Sequence, residues 1–291
     1  MKELVIISGK GGTGKTSVTA SFAVLAEKAV LADCDVDAAD LHLVLKPDVR
    51  ERHDFRSGHE AVIREADCTG CGVCRDLCRF DAVRTHETEA GARCVVDPVA
   101  CEGCGVCVRF CPEQAIDFPE RLCGEWMVSD TRCGPMVHAR LGVAAENSGK
   151  LVATVRQEAR RIAEEQERNL VIVDGPPGIG CPVIASLSGA AQVLVVTEPT
   201  VSGEHDLARV LKLAAHFGIP ASICVNKWDL NPEMTERIEK QARTVGATVA
   251  GRIRYDRAVT QAQIQERAVV EIDAPCAEDI RALWAGLGLS C

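Results

Sequence analysis

Aromatic residues are scarce: six Phe, three Trp and one Tyr make up only 3% of the 291 residues. The core must therefore come from Val, Ile, Leu and Ala, which suit buried parallel strands. Positive charge is also in deficit, with 33 Lys and Arg against 42 Asp and Glu, a net charge of −9. That balance argues against general affinity for nucleic-acid backbones or anionic membrane surfaces. No apolar run approaches the roughly 20 residues a membrane span needs. The opening Met1-Lys2-Glu3-Leu4 runs directly into a strand-like stretch without a leader pattern. The chain is accordingly expected in the cytoplasm, with no nucleic-acid or membrane partner.

Cysteine, by contrast, is in excess, with 16 in the chain. In a reducing compartment clustered cysteines read as metal ligands, not disulfides. Cys68-x₂-Cys71-x₂-Cys74-x₃-Cys78 is repeated 33 positions later as Cys101-x₂-Cys104-x₂-Cys107-x₃-Cys111-Pro112, with Gly72-Val73-Cys74 aligning on Gly105-Val106-Cys107. Each run has the spacing of bacterial ferredoxins, where one tight loop supplies three thiolates and the other run supplies the fourth. One [4Fe–4S] cluster is thus expected on Cys68, Cys71, Cys74 and Cys111. A second is expected on Cys101, Cys104, Cys107 and Cys78. A structural zinc needs only four ligands, usually two CxxC pairs, so two complete runs exceed it. Arg79 stands where the second run has Pro112, and proline there shapes the turn without acting as a ligand. Of the other eight cysteines, Cys34, Cys94, Cys123, Cys133, Cys224, Cys276 and Cys291 read as small buried hydrophobes or surface thiols. Cys181 is kept apart.

The rest of the chain alternates strand and helix. An apolar run Glu3–Ser8 leads into Gly9-Lys10-Gly11-Gly12-Thr13-Gly14-Lys15-Thr16-Ser17 and a helix to about Lys28. Strand, glycine-rich loop and helix in that order form the context of a P-loop. Backbone N–H groups of Gly9, Gly11, Gly12, Thr13 and Gly14 would converge on phosphate oxygens at a helix N-terminus. Lys15 would neutralise the β- and γ-phosphates, and the Thr16 hydroxyl would ligate Mg²⁺. Further strand-like runs are Ala29–Ala32, Glu125–Val128, Met136–Leu141, Leu170–Val173, Val193–Val196, Ala221–Val225 and Val249–Ile253. Helices are expected over 150–168, with Ser148 as N-cap, and over 204–217, 232–245 and 276–287. The expected fold class is α/β: a mostly parallel, doubly wound P-loop NTPase sheet. A small α+β bacterial-ferredoxin-like domain is inserted in it. The divisions are 1–49, 50–118 and 119–291.

With its extra Lys10, the glycine-rich string resembles the deviant P-loop of the MinD/ParA/nitrogenase-iron-protein group. That resemblance implies a dimer, with Lys10 reaching the partner subunit's nucleotide. Asp33 and Asp35 would lie in the first switch, and Asp174-Gly175-Pro176-Pro177-Gly178 in Walker B and the second. It further implies Asp35 orienting the attacking water, Asp174 in the Mg²⁺ shell, Pro177 and Gly178 beside the nucleotide, and Asn226 contacting adenine. Asn226-Lys227-Trp228-Asp229 also fits the N-K-x-D pattern that reads guanine, so ATP and GTP both stay open. With its insertion, the chain resembles MinD-type ATPases carrying a ferredoxin domain, including the stretches Gly134–Ala139 and Asn147–Lys150, for which the sequence suggests no role. Cys181, seven residues after Asp174, resembles a switch-II cluster ligand and, with Cys133, would bridge a third cluster in a dimer.

These features imply an ATP-hydrolysing iron–sulfur protein, a homodimer or a heterodimer with a related ATPase, that couples nucleotide state to a redox partner. The alternatives are an ATP-dependent cluster carrier and a MinD-like spatial regulator. Complete thiolate ligation argues against easy cluster release. The helix at 276–287, with Arg281 its only base, reads as packing against the body more than as a membrane anchor.

Overall fold

The computed structural model describes residues 1–89, 91–142, 145 and 147–289. They form two compact units: Met1–His53, Glu125–Leu141 and Asn147–Cys291 in the first, and Asp54–Gly124 with the segment at 142–146 in the second. The units part at His53/Asp54 and Gly124/Glu125, whereas the change in composition suggested 49/50 and 118/119.

The first unit is built on parallel strands, as its uninterrupted apolar runs require. Lys2–Ser8 lies between Leu170–Pro177 and Gln192–Thr197. On one side the sheet continues through Ala29–Asp33 to Gly134–Leu141, and on the other through Ala221–Asn226 to Thr248–Ile253, every pair parallel. Strands Glu120–Thr131 and Asp48–His59 complete the nine-stranded order at one edge. After Lys2–Ser8 the chain crosses to Ala29–Asp33 on one side of the sheet, and after Leu170–Pro177 it crosses to Gln192–Thr197 on the other. This leaves a crevice at the carboxyl ends of the strands, where open α/β sheets bind ligands. Helices Lys15–Leu25, Ser148–Glu165, Val201–His216, Pro232–Thr244 and Pro275–Gly286 accompany the strands. Phe22 and Trp284, two of the few aromatics, meet with ring centroids 4.9 Å apart. Ile280, Leu283 and Trp284 are buried from the last helix, so its apolar face packs on the body. Among the described residues no helix is long and apolar enough to cross a membrane.

Three local expectations need correction. Ser148 is the first helical residue, not the cap; Asn147 precedes it in a left-handed conformation, φ 69°, and no side chain caps that end. The P-loop helix stops at Leu25, because Ala26 is already extended. Strand Asp48–His59 escaped notice because most of its residues are polar and solvent-exposed, giving no apolar alternation to read.

The stretch Gly134–Ala139 has a packing role. Gly134 takes φ 128°, and a Cβ there would come within 2.7 Å of the Ala29 carbonyl. His138, opposite Asp33 in the parallel register, is buried with Nε2 2.8 Å from Ser129 Oγ. Burial, with His42 and Arg52 adding to it, lowers the His138 pKa from 6.5 to about 4. The unfolded chain thus binds a proton that the folded chain resists, and stability falls as pH drops from 6.5 through 4. Linkage puts this at about 3 kcal/mol for a shift of that size. His138→Gln is expected to flatten the acid limb of the stability–pH curve over that window in denaturant titrations. An unchanged limb would mean that other groups govern acid unfolding.

The second unit holds helices Val73–Leu77 and Val106–Phe110, each preceded by a left-handed glycine, Gly72 at φ 78° and Gly105 at φ 72°. Two short antiparallel pairs, Val62–Ile63 with Ile116–Asp117 and Val83–Thr88 with Gly91–Val96, frame them. The internal repeat read from the cysteine spacing thus recurs in the backbone.

Candidate functional site

The P-loop leaves the carboxyl end of the central strand. Gly12 and Gly14 are left-handed, at φ 79° and 89°, where other residues are strained. A Cβ on Gly9 would lie 2.4 Å from Cβ of Asp206, and one on Gly14 2.3 Å from the Asn226 amide nitrogen. Gly11 and Gly12 face open space instead, so an anion can approach their backbone.

Asp174, fully buried, is the hub of the site. Lys15 Nζ and Thr19 Oγ1 donate to its Oδ1 at 2.9 and 2.8 Å, and Thr16 Oγ1 donates to its Oδ2 at 2.9 Å. Lys15 Nζ also lies 3.4 Å from Asp35 Oδ2. Burial works to lower the Lys15 pKa, but Asp174, Asp35 and Asp33 outweigh it and the net direction is upward. Burial raises the Asp35 carboxyl above its ordinary range, against the pull of Lys15. Asp33 is raised well above it, by burial first and Asp174 second. Its two oxygens accept from the backbone N–H groups of Asp35 and Leu41 at 3.2 and 3.3 Å. Asp33 therefore pins the loop that carries Asp35, while Asp37 and Asp40 are exposed. The Thr19 contact was missed, although Thr19 follows Lys15 by one helical turn and so shares its face.

The remaining expected residues divide. Pro177 pairs with Ser8, and the Gly178 N–H donates to the Ser8 carbonyl at 2.9 Å, which brings the second switch to the loop. Ser17 Oγ accepts from Gln263 Nε2 at 3.2 Å. The Asn226 amide donates to the Thr13 carbonyl at 2.8 Å and accepts from the Lys227 N–H at 2.9 Å. Asn226 thus props the P-loop through the Thr13 carbonyl. Asp229 of the N-K-x-D string accepts from the Tyr255 N–H at 2.6 Å. Lys10 pairs with Glu198 and donates to Ser202 Oγ at 3.0 Å. Lys227 takes the other Glu198 oxygen at 3.3 Å. A reach across a dimer would require the Lys10–Glu198 pair to break.

The residues fit a magnesium nucleotide. The Thr13 hydroxyl is buried inside the loop without a hydrogen-bond partner, and Lys15 and Thr16 add a cation and a donor oxygen. Asp35 and Asp174 beside Thr16 offer the oxygen ligands a hard cation prefers.

In the second unit the eight motif cysteines ring two cavities. Cys68, Cys71, Cys74 and Cys111 line one, with about 320 Å³ of empty space including its mouth. Cys78, Cys101, Cys104 and Cys107 line the other, with about 310 Å³. Each cavity draws three cysteines from one run and one from the other. Among the described residues no three His, Cys, Asp or Glu form a group that could hold a metal ion. Cys94 also lines the first cavity, which the sequence did not suggest. Cys34, Cys123, Cys224 and Cys276 are buried, Cys133 is half-buried and Cys181 is exposed. Cys133 packs on the apolar core, while Cys181 lies against Gly149, whose added Cβ would meet Cys181 Cβ at 3.4 Å. Cys291 lies outside the described residues.

The profile of the CobQ/CobB/MinD/ParA nucleotide binding domain, CbiA, matches residues 4–269. The chain belongs to this family. It is a MinD/ParA-type P-loop ATPase by descent. An uncharacterized protein of Methanocaldococcus jannaschii is 35% identical over 79% of each chain. The septum site-determining protein MinD of Bacillus subtilis is 26% identical over 72% of this chain and 58% of its own. Among solved structures, MinD of Pyrococcus horikoshii in complex with Mg-ADP superposes with a TM-score of 0.58 at 16% identity, covering 99% of this chain and 96% of that one. The MinC:MinD complex of Aquifex aeolicus gives 0.59 at 19%, covering 100% and 97%. These superpositions share the fold.

Proposed function

We propose that this MinD/ParA-type protein hydrolyses ATP and holds two [4Fe–4S] clusters in its cysteine-rich unit, coupling nucleotide state to electron transfer or to docking of a redox partner. The observation that carries the reading is the grouping of eight cysteines around two cavities, three from one run and one from the other in each. Lys15 would hold the β- and γ-phosphates, and Asp35 would orient the attacking water. Thr16 and Asp174 would hold Mg²⁺, which supplies charge neutralisation when bound. The residues around Asp174 link the two switches, because Asp35 and Asp174 contact the same ammonium. A nucleotide that engages Lys15 acts on both at once, and that shared contact gives it a handle on conformation. ATP is favoured over GTP because the family implies it and because Asp229 is tied to the Tyr255 backbone.

A second reading, a MinD-like spatial regulator acting in a dimer, draws on the septum-site relative and the MinC-bound MinD structure. On the named relatives alone it is the better supported of the two. It expects ATP-dependent self-association and partner binding to survive removal of the cysteine ligands.

The deciding experiment is anaerobic purification, iron analysis and an EPR-monitored redox titration without nucleotide, with MgADP and with a non-hydrolysable MgATP analogue. About eight irons per chain and a nucleotide-dependent shift of about 59 mV, a tenfold change for a one-electron couple, would support coupling. Eight irons with unmoved potentials would leave the clusters energetically separate from the ATPase and sink the coupling. Absence of iron would leave the regulator.

A further inference from the structure

Thr19 is a polar residue inside the P-loop helix Lys15–Leu25, fully buried between Val18 and Ala20, which are buried too. A threonine there weakens the helix slightly, and a hydroxyl out of reach of water needs a partner. Thr19 has two. Its Oγ1 lies 3.0 Å from the Lys15 carbonyl one turn back and 2.8 Å from Asp174 Oδ1. The carbonyl fixes which way the hydroxyl turns. The carboxylate, being charged, is the stronger of the two acceptors.

Among the described residues three side chains donate to Asp174: Lys15 and Thr19 at Oδ1, and Thr16 at Oδ2. Two of them have other work in the proposed function, Lys15 at the phosphates and Thr16 at Mg²⁺. Thr19 has none, because its complete burial keeps it away from any ligand. When Lys15 and Thr16 engage a nucleotide, Thr19 is the donor of the three that stays on the carboxylate. We propose that Thr19 is a positioning residue that holds Asp174 Oδ1, so that Oδ2, on the Thr16 side, is presented to Mg²⁺. The inference rests on the magnesium-nucleotide reading of the site. Groups that orient a metal-ligating carboxylate typically change metal affinity by about 10- to 100-fold.

The test compares the full unaltered chain with two variants. Thr19→Val keeps the branched shape and loses the hydroxyl; Thr19→Ser keeps the hydroxyl. A fluorescent ADP analogue is titrated into each with magnesium chloride and with EDTA. In the unaltered protein Mg²⁺ tightens binding. In Thr19→Val that tightening shrinks about tenfold, while binding in EDTA is unchanged. The Mg²⁺ concentration for half-maximal ATP hydrolysis rises by a similar factor, and Thr19→Ser restores both. Undiminished tightening in Thr19→Val overturns the inference. So does an equal loss with and without Mg²⁺, or a Thr19→Ser as weak as Thr19→Val, since either shows a packing role alone. Should Thr19→Val not fold, Thr19→Ala carries the same comparison. Unaltered protein whose ADP binding ignores Mg²⁺ removes the magnesium site itself, and this inference with it. Unaltered protein that binds MgADP without hydrolysing ATP removes only the proposed hydrolysis, and the binding titration still decides for or against Thr19.

Discussion

Lys15→Ala is expected to lower ATP hydrolysis about 10³-fold, the scale on which removing one preorganised charge donor acts. Lys15 is the ammonium held by Asp174 and Asp35 in the described site, and it is nearly buried, at 6% exposure. Without it the developing charge on the transferring phosphoryl group loses its principal protein cation, and nucleotide binding weakens as well. A second consequence separates this role from simple loss of fold. Asp33 and Asp35 already sit above the ordinary carboxylate range through burial, and in both Lys15 pulls the pKa down, helped at Asp33 by the Asp35 backbone N–H. In the variant these carboxyls rise further and bind protons that the unfolded chain has released. Stability is therefore lost as pH rises. The melting-temperature deficit of Lys15→Ala against unaltered protein should be larger at pH 8 than at pH 5. Hydrolysis within tenfold of the unaltered rate would remove Lys15 from the phosphate site. A deficit independent of pH would mean that the carboxyls do not depend on it.

Removal of Cys111 is expected to cost the protein the cluster of the first run, not of its own. Cys111 lines the cavity of Cys68, Cys71 and Cys74, whereas Cys107 lines that of Cys101, Cys104 and Cys78. Single variants cannot distinguish crossed from uncrossed ligation, because either arrangement leaves about four of about eight irons. Double variants can. With crossed ligation, Cys74→Ala/Cys111→Ala damages one cavity and keeps about four irons, while Cys107→Ala/Cys111→Ala damages both and keeps almost none. Uncrossed ligation reverses the two results. Collapse of iron in every variant would show that neither cluster persists without the other. That outcome is reasonable for a unit whose small apolar core is shared by Cys74, Cys94 and the strands around them.

Much of this protein is legible from one-dimensional spacing. The P-loop could be read because strand, glycine-rich turn and helix are consecutive, and their geometry follows from local backbone rules. Both four-cysteine runs could be read for the same reason, since the first three cysteines of each lie within seven residues. The parallel sheet followed from short apolar runs separated by helices. Elements with weak patterns were lost. Asp48–His59 is a long strand with a polar surface, and the helix Ala258–Ile264 buries only Ala262.

What the sequence determined by itself was therefore the class of fold and the phosphate loop, both of them set by neighbours in the chain. Only the tertiary structure decided which distant groups meet. Thr19 and Asp174, 155 positions apart, share a hydrogen bond. Lys10 is held by Glu198, Asn226 props the loop through Thr13, and Cys94 joins the first cavity while Ala61 joins the second. Each of these contacts depends on how strands order in a sheet or fold back in a hairpin. Residues that meet that way carry no fixed spacing, because the intervening chain can be any length that closes the loop.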